Sequence, residues 1–128
     1  MAGLFQRTAA MTDNTSGQPI DLEHLARYTG GDRALNAEIL KLFDGQVTEM
    51  VGQLRGILAS RDAKRWREVT HTIKGAARGV GAFAMGDAAA AAEPVDVTIA
   101  QARGEEVIDV LAREGHAVQL FIAEYLAA

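Results

Sequence analysis

Apolar side chains recur at three- and four-residue intervals along most of this chain, and that period admits helices and little else. Leu35, Ile39, Phe43, Val47, Met50, Leu54 and Ile57 lie on one such stripe. It predicts a helix that starts behind Asp32 as cap and reaches Ala59, the longest of the chain. Asp21 is placed to cap a shorter helix carrying Leu22, Leu25 and Tyr28, which the Gly30-Gly31 pair stops. Asp62 is placed to cap a third, with Trp66, Val69, Ile73, Ala77 and Val80 on its inner side. A fourth is expected from near Ala82, anchored by Phe83 and Met85 and rich in alanine from Ala88 to Ala92. Pro94 disfavours helical geometry at Glu93 and should end or kink it there. Gly104 is expected to precede the last helix, with Val107, Leu111, Val118, Phe121, Ile122 and Tyr125 inward and Glu105-Glu106 as a solvated first turn. Strand signals are nearly absent: aromatics are 5% of residues, and no alternating run is bounded by hairpin turns. The expected fold is all-α, an antiparallel four-helix bundle with a short additional N-terminal helix over residues 21–128. Residues 1–20, small and polar without periodicity, read as a flexible tail.

Composition narrows the function classes. The chain has 128 residues, enough for one cooperative domain. No apolar run approaches the roughly 18 residues of a membrane span. Thirteen basic and 17 acidic side chains give a net charge of −4, which removes the broad electrostatic basis for nucleic-acid binding. The absence of cysteine excludes disulfides, thiolate metal sites and a thiol nucleophile. The first residues lack the apolar stretch of a secretory signal, so a cytoplasmic location is the expectation. His24, His71 and His116 share no i, i+4 spacing, so no metal site is expected.

The third helix carries the chemistry. On a wheel of about 100° per residue with Ile73 at zero, Trp66, Val69, Thr70, Ala76, Ala77 and Val80 fall within about 60° and face the core. His71 falls at about 160°, toward solvent, with Lys64, Arg67, Lys74 and Arg78 at about 180°, 120°, 100° and 140° around it. Gly75 follows His71 at i+4, and Gly79 and Gly81 come after. A glycine inside a helix costs about 1 kcal/mol relative to alanine, so its presence asks for a reason. An absent side chain at i+4 clears the imidazole for a bulky incoming group, and the flanking cations suit a dianion. A phosphoryl group fits both conditions, since an unprotonated ring nitrogen attacks phosphorus and cations offset the charge on its oxygens. An exposed histidine among lysines and arginines is also what an ordinary solvated face looks like, and spacing alone does not separate the two.

The run His71-Thr72-Ile73-Lys74-Gly75-Ala76-Ala77-Arg78-Gly79-Val80-Gly81 closely resembles the core motif of histidine-containing phosphotransfer (HPt) domains of bacterial phosphorelays. The resemblance implies that His71 carries the phosphoryl group on Nε2, that Lys74 contacts the phosphoryl oxygens, and that Gly75 leaves space for it. Gly81 would mark the turn out of the helix. Glu93, 22 residues after His71, stands where the family has a Gln or Glu that bonds the ring. Arg78 occupies a position in the phosphoryl neighbourhood that is often small or polar in relatives, and Glu93 directly precedes Pro94. By the same resemblance the chain is no kinase or ATPase, and no Walker-type nucleotide loop is present. Donor and acceptor would be aspartyl phosphates on receiver domains of hybrid histidine kinases and response regulators. Those domains bring their own Mg²⁺, and the carrier, a monomer, needs no cofactor. Lys64 and Arg67 would meet the acidic rim of a docking receiver. Two readings remain open: a phosphorelay carrier, and a helical adaptor that binds receivers without accepting phosphoryl.

Overall fold

The computed structural model describes residues 17–128. Five helices follow one another, α1 (Leu22–Thr29), α2 (Arg33–Ser60), α3 (Ala63–Val80), α4 (Phe83–Ala92) and α5 (Gln101–Ala127), and no strand occurs among the described residues. Helices α2 to α5 form the bundle. In order around it, α2 packs on α3, α3 on α4, α4 on α5 and α5 back on α2, while the short α1 lies across α2 and α3. No described helix is long and apolar enough to cross a membrane.

The first three helices begin where an aspartate can satisfy their free N–H groups. Asp21 accepts from the backbone N–H of Glu23 and His24, Asp32 from that of Leu35, and Asp62 from that of Arg65. Neither α4 nor α5 has such a cap, Ala82 and Ala100 standing at their starts. For α5 the sequence misplaces the boundary. The helix begins at Gln101, whose side-chain amide donates to the carbonyls of Leu58 and Val97 and so ties it to the end of α2. Gly104 lies inside the helix and is buried, because α2 passes so close that an added Cβ would stand 2.4 Å from Cδ1 of Leu58. Glu105 and Glu106 therefore belong to the second turn, and Glu105 joins Asp109 in pairing with Arg55 across to α2.

The core contains Trp66, Phe43, Leu40, Leu54, Leu58, Ile73, Met85, Ile108, Leu111 and Ile122, all at most 2% exposed. Several stripe residues are not in it. Leu35 and Phe83 are about two-fifths exposed and Tyr28 more so; Phe83 meets the ring of His24 of α1 edge-on at the rim, and Met85 is the buried anchor at the start of α4. Conversely Ile20, which the sequence leaves in the N-terminal stretch, is buried in the core. Residues 1–16 of that stretch lie outside the described residues.

The turn between α3 and α4 sets the position of everything near the site. Gly81 takes φ +88°, the left-handed conformation that ends α3, and its N–H bonds back to the carbonyl of Arg78. Its carbonyl accepts from the N–H of Asp21 at 2.9 Å, and an added Cβ would approach the Asp21 carbonyl oxygen to 2.6 Å. One glycine thus reverses the chain and seats α1.

Two glycine substitutions should move stability in opposite directions. Gly56 faces open space, so Gly56→Ala should stabilise by about 0.5–1 kcal/mol through helix propensity. Gly104→Ala gains the same propensity but must displace buried Leu58, an overpacking cost of about 1–3 kcal/mol, and should lower stability by about 1 kcal/mol. Urea denaturation of both variants checks the sign; equal stabilisation would mean that Leu58 yields freely.

Candidate functional site

His71 lies mid-way along α3 with its side chain 67% exposed. Its inner-face neighbours on the same helix, Thr70 and Ile73, are fully buried, so the imidazole is held out from a helix that cannot rotate. Thr70, polar and buried, turns its hydroxyl back to the carbonyls of Trp66 and Arg67 and is satisfied within the helix.

The antiparallel return of α4 brings its C-terminal end beside the middle of α3. There Nδ1 of His71 lies 3.1 Å from Oε2 of Glu93, and Nζ of Lys74 donates to Oε1 of the same carboxylate at 2.7 Å. One carboxylate therefore bridges two α3 side chains that are three residues apart. Lys74 and Glu93 are each about one-quarter exposed, so this pair is shielded more than the imidazole beside it. The ammonium of Lys74 donating to it holds the Glu93 carboxyl below the ordinary carboxylate range; partial burial opposes this, and the His71 imidazole adds to it. With Nδ1 donating to an ionised carboxylate, the proton is kept on that nitrogen and the lone pair on Nε2.

An added Cβ at Gly75 would meet nothing within 4 Å, and the same holds at Gly79. The surface one turn beyond His71 is therefore bare backbone open to solvent. Arg78 is directed away from the imidazole. It pairs with Asp87 of α4 at 3.2 Å and lies across Gly86, where an added Cβ would stand 2.8 Å from its Cγ. Lys64 and Arg67 are exposed toward the N-terminal end of α3, and among the described residues neither has a carboxylate within 4 Å. Arg67 nonetheless faces the α4–α5 loop, where its charge helps hold Asp96 below the ordinary carboxylate range after the dominant bonds from Thr98.

The site thus gathers His71, Lys74, Glu93 and Gly75, sets Lys64 and Arg67 further down the same helix, and engages Arg78 elsewhere. Two features have no signal in the spacing. One is the Arg78–Asp87 pair over Gly86. The other is the buried indole of Trp66, which donates to the carbonyl of Ala92, the residue before Glu93, at 2.9 Å. No cluster of three or more potential metal ligands occurs among the described residues. His24 packs edge-on against Tyr28 and Phe83, and His116 lines a shallow groove between α2 and α5.

The lowered carboxyl of Glu93 has a consequence for stability. A carboxylate whose folded value is depressed stabilises the fold fully above its unfolded value, about 4.3, and loses that contribution as pH falls through the folded value. The melting temperature of Glu93→Gln should therefore lie below that of the wild type at neutral pH, with the gap closing in acid. A gap that is constant from pH 7 to pH 2 would mean that the charge of Glu93 does not stabilise the fold.

A family model described as the Hpt domain matches residues 38–120. No curated protein and no solved structure matches the chain.

Proposed function

The chain belongs to the Hpt domain family, phosphotransfer carriers of phosphorelays that work with receiver domains, and on that footing we propose that His71 is its phosphoryl acceptor. The observation that carries the reading is the pairing of an exposed mid-helix imidazole, bonded through Nδ1 to a carboxylate, with a bare backbone one turn away at Gly75. In the forward step the Nε2 lone pair attacks phosphorus of an aspartyl phosphate on a receiver domain. The N–P bond forms as the P–O bond to the aspartyl carboxylate breaks, and the carboxylate leaves with that electron pair. The ring, still protonated on Nδ1, gains positive charge, which the carboxylate of Glu93 offsets. Transfer onward reverses these events on a second receiver. The Mg²⁺ that such domains carry stays with the partner.

Lys74 has three donors. One is engaged by Glu93, and the other two are available to phosphoryl oxygens, so the ammonium serves the incoming group without releasing the carboxylate. Gly75 keeps the approach open. Lys64 and Arg67, with no carboxylate within 4 Å among the described residues, are suited to an acidic receiver rim and act on encounter rather than chemistry. Arg78, neutralised by Asp87, contributes to the shape of the α3–α4 edge.

Incubation with a phosphorylated receiver, followed by intact mass, should show one added phosphoryl group, labile to acid and durable in alkali. His71→Gln should abolish it with little change in melting, since an exposed side chain contributes little packing. Label retained by that variant, or label that survives acid, would overturn the assignment. An adaptor that only binds receivers would gain no mass at all.

Gly75→Leu separates space from flexibility. It should raise helix propensity by about 1 kcal/mol and leave melting unchanged or higher, yet place a side chain over the imidazole and cut transfer by at least about tenfold, as expected for a blocked approach. Full transfer by this variant would leave the glycine with a backbone role only.

A further inference from the structure

The position of the Glu93 carboxylate depends on a backbone that its own sequence does not favour. Pro94 follows, and the residue before a proline is turned toward extended angles, yet Glu93 keeps φ −55° and ψ −44°, continuing the helical path of α4 by one residue. Its N–H bonds to the carbonyl of Ala89, and the chain beyond it turns so that the N–H of Val95 reaches the carbonyl of Ala92 at 3.1 Å. These bonds are local and would travel with α4 if its end shifted. Among the described residues, the hydrogen bond that ties the backbone at the end of α4 to α3 comes from Trp66, whose indole N–H donates to that same Ala92 carbonyl at 2.9 Å.

The donor belongs to a side chain with no freedom. Trp66 is completely buried in α3, one turn and a residue before His71, and it is the sole tryptophan of the chain. A carbonyl oxygen has two lone pairs, and Val95 already satisfies Ala92, so the carbonyl does not need the indole in order to be buried. What the indole adds is registration. Helix α3 holds Ala92 through Trp66 and the Glu93 carboxylate through Lys74, and His71 lies between these two holds in sequence. The nucleophile and both grips on its partner therefore belong to one rigid element.

We propose that Trp66 is a positioning residue for phosphotransfer: its indole N–H, by holding the Ala92 carbonyl, registers the end of α4 so that the Glu93 carboxylate meets Nδ1 of His71 and the lone pair stays on Nε2. The proposal rests on the reading of His71 as acceptor and Glu93 as its orienting group. Loss of the indole donor leaves the bundle intact but lets the end of α4 drift, which weakens the bond at Nδ1 and admits the other tautomer. Stability and tautomer are thereby separable, since apolar bulk at position 66 serves the first and the N–H serves the second.

The test compares wild type with Trp66→Phe and with Trp66 replaced by β-(3-benzothienyl)alanine, which keeps the shape of the indole and substitutes sulfur for the N–H. Glu93→Ala is the reference. Ring-¹⁵N NMR reads the His71 tautomer, and intact mass reads the rate of phosphorylation by phosphoramidate, which donates phosphoryl to the imidazole with loss of ammonia and needs no receiver. Both Trp66 replacements should increase the fraction of His71 protonated on Nε2 and slow labelling about two- to tenfold, the span expected for one hydrogen bond, in the same direction as Glu93→Ala. If Trp66→Phe does not fold, the benzothienyl protein decides alone. Wild-type tautomer and rate in the benzothienyl protein, with both altered in Glu93→Ala, would overturn the role of Trp66 while leaving that of Glu93. An unaltered tautomer and rate in Glu93→Ala would instead overturn the reading on which the proposal rests.

Discussion

Everything around His71 depends on how closely α3 and α4 are held as a hairpin, and that closeness turns on one left-handed residue. Gly81 reverses the chain at φ +88° with its carbonyl committed to Asp21 and no room for a Cβ against the Asp21 carbonyl. A residue with a side chain would face both the conformational penalty and a backbone collision that no rotamer relieves. Ten residues of α4 then run back alongside α3, and their small side chains permit the approach. Ala88, Ala89 and Ala92 are buried against the bundle, so α4 delivers Glu93 at a height on α3 that is determined by the turn and the length of α4. The carboxylate meets His71 and Lys74 there because nothing bulky intervenes.

The parts of the fold that were legible in the sequence are those encoded by local chemistry. Asp21, Asp32 and Asp62 announce three helix starts because a short carboxylate can reach the free N–H groups of a first turn. The starts of α4 and α5 carry alanine instead, and Gly104 imitates a boundary while sitting inside a helix for the sake of Leu58. Periodicity identifies the inner face of each helix but not its width. Whether Leu35 or Phe83 on the flank is covered depends on which neighbour comes near, and that is decided by distant residues. Ile20 shows the converse, an isolated apolar residue in a polar stretch that tertiary packing draws into the core.

At the site the same division holds. The orientation of His71 and the open space at Gly75 follow from helical spacing on one element, and the 22-residue separation of His71 and Glu93 suffices to place them together once α4 is antiparallel to α3. What the wheel could not express is that cations on one face differ in their engagement. Lys74 and Arg78 both lie beside the imidazole in projection, yet Lys74 shares a carboxylate with it, while Arg78 is drawn off by Asp87 into the groove left by Gly86. A helical wheel contains only one helix, and these outcomes are determined by the second.

This partition of charge bears on how one small surface can serve both docking and chemistry. If, as proposed, a receiver docks with an acidic rim and delivers a dianionic phosphoryl group, a uniformly cationic face would hold the two with similar strength and gain nothing at the transition state. Here Lys74, which shares a carboxylate with the imidazole, is balanced by Glu93, and Arg78 is paired off with Asp87. Lys64 and Arg67, which have no carboxylate within 4 Å among the described residues, lie two turns and one turn toward the start of α3, in a solvated zone where their attraction acts over about a Debye length and weakens with salt. On the proposed reading, encounter is governed by these groups and not by those that touch the reacting atoms. At the imidazole, on the same reading, charge that develops on transfer would meet a carboxylate already at Nδ1 and an ammonium with donors to spare, an arrangement that responds to the moving phosphoryl group rather than to the partner that brings it.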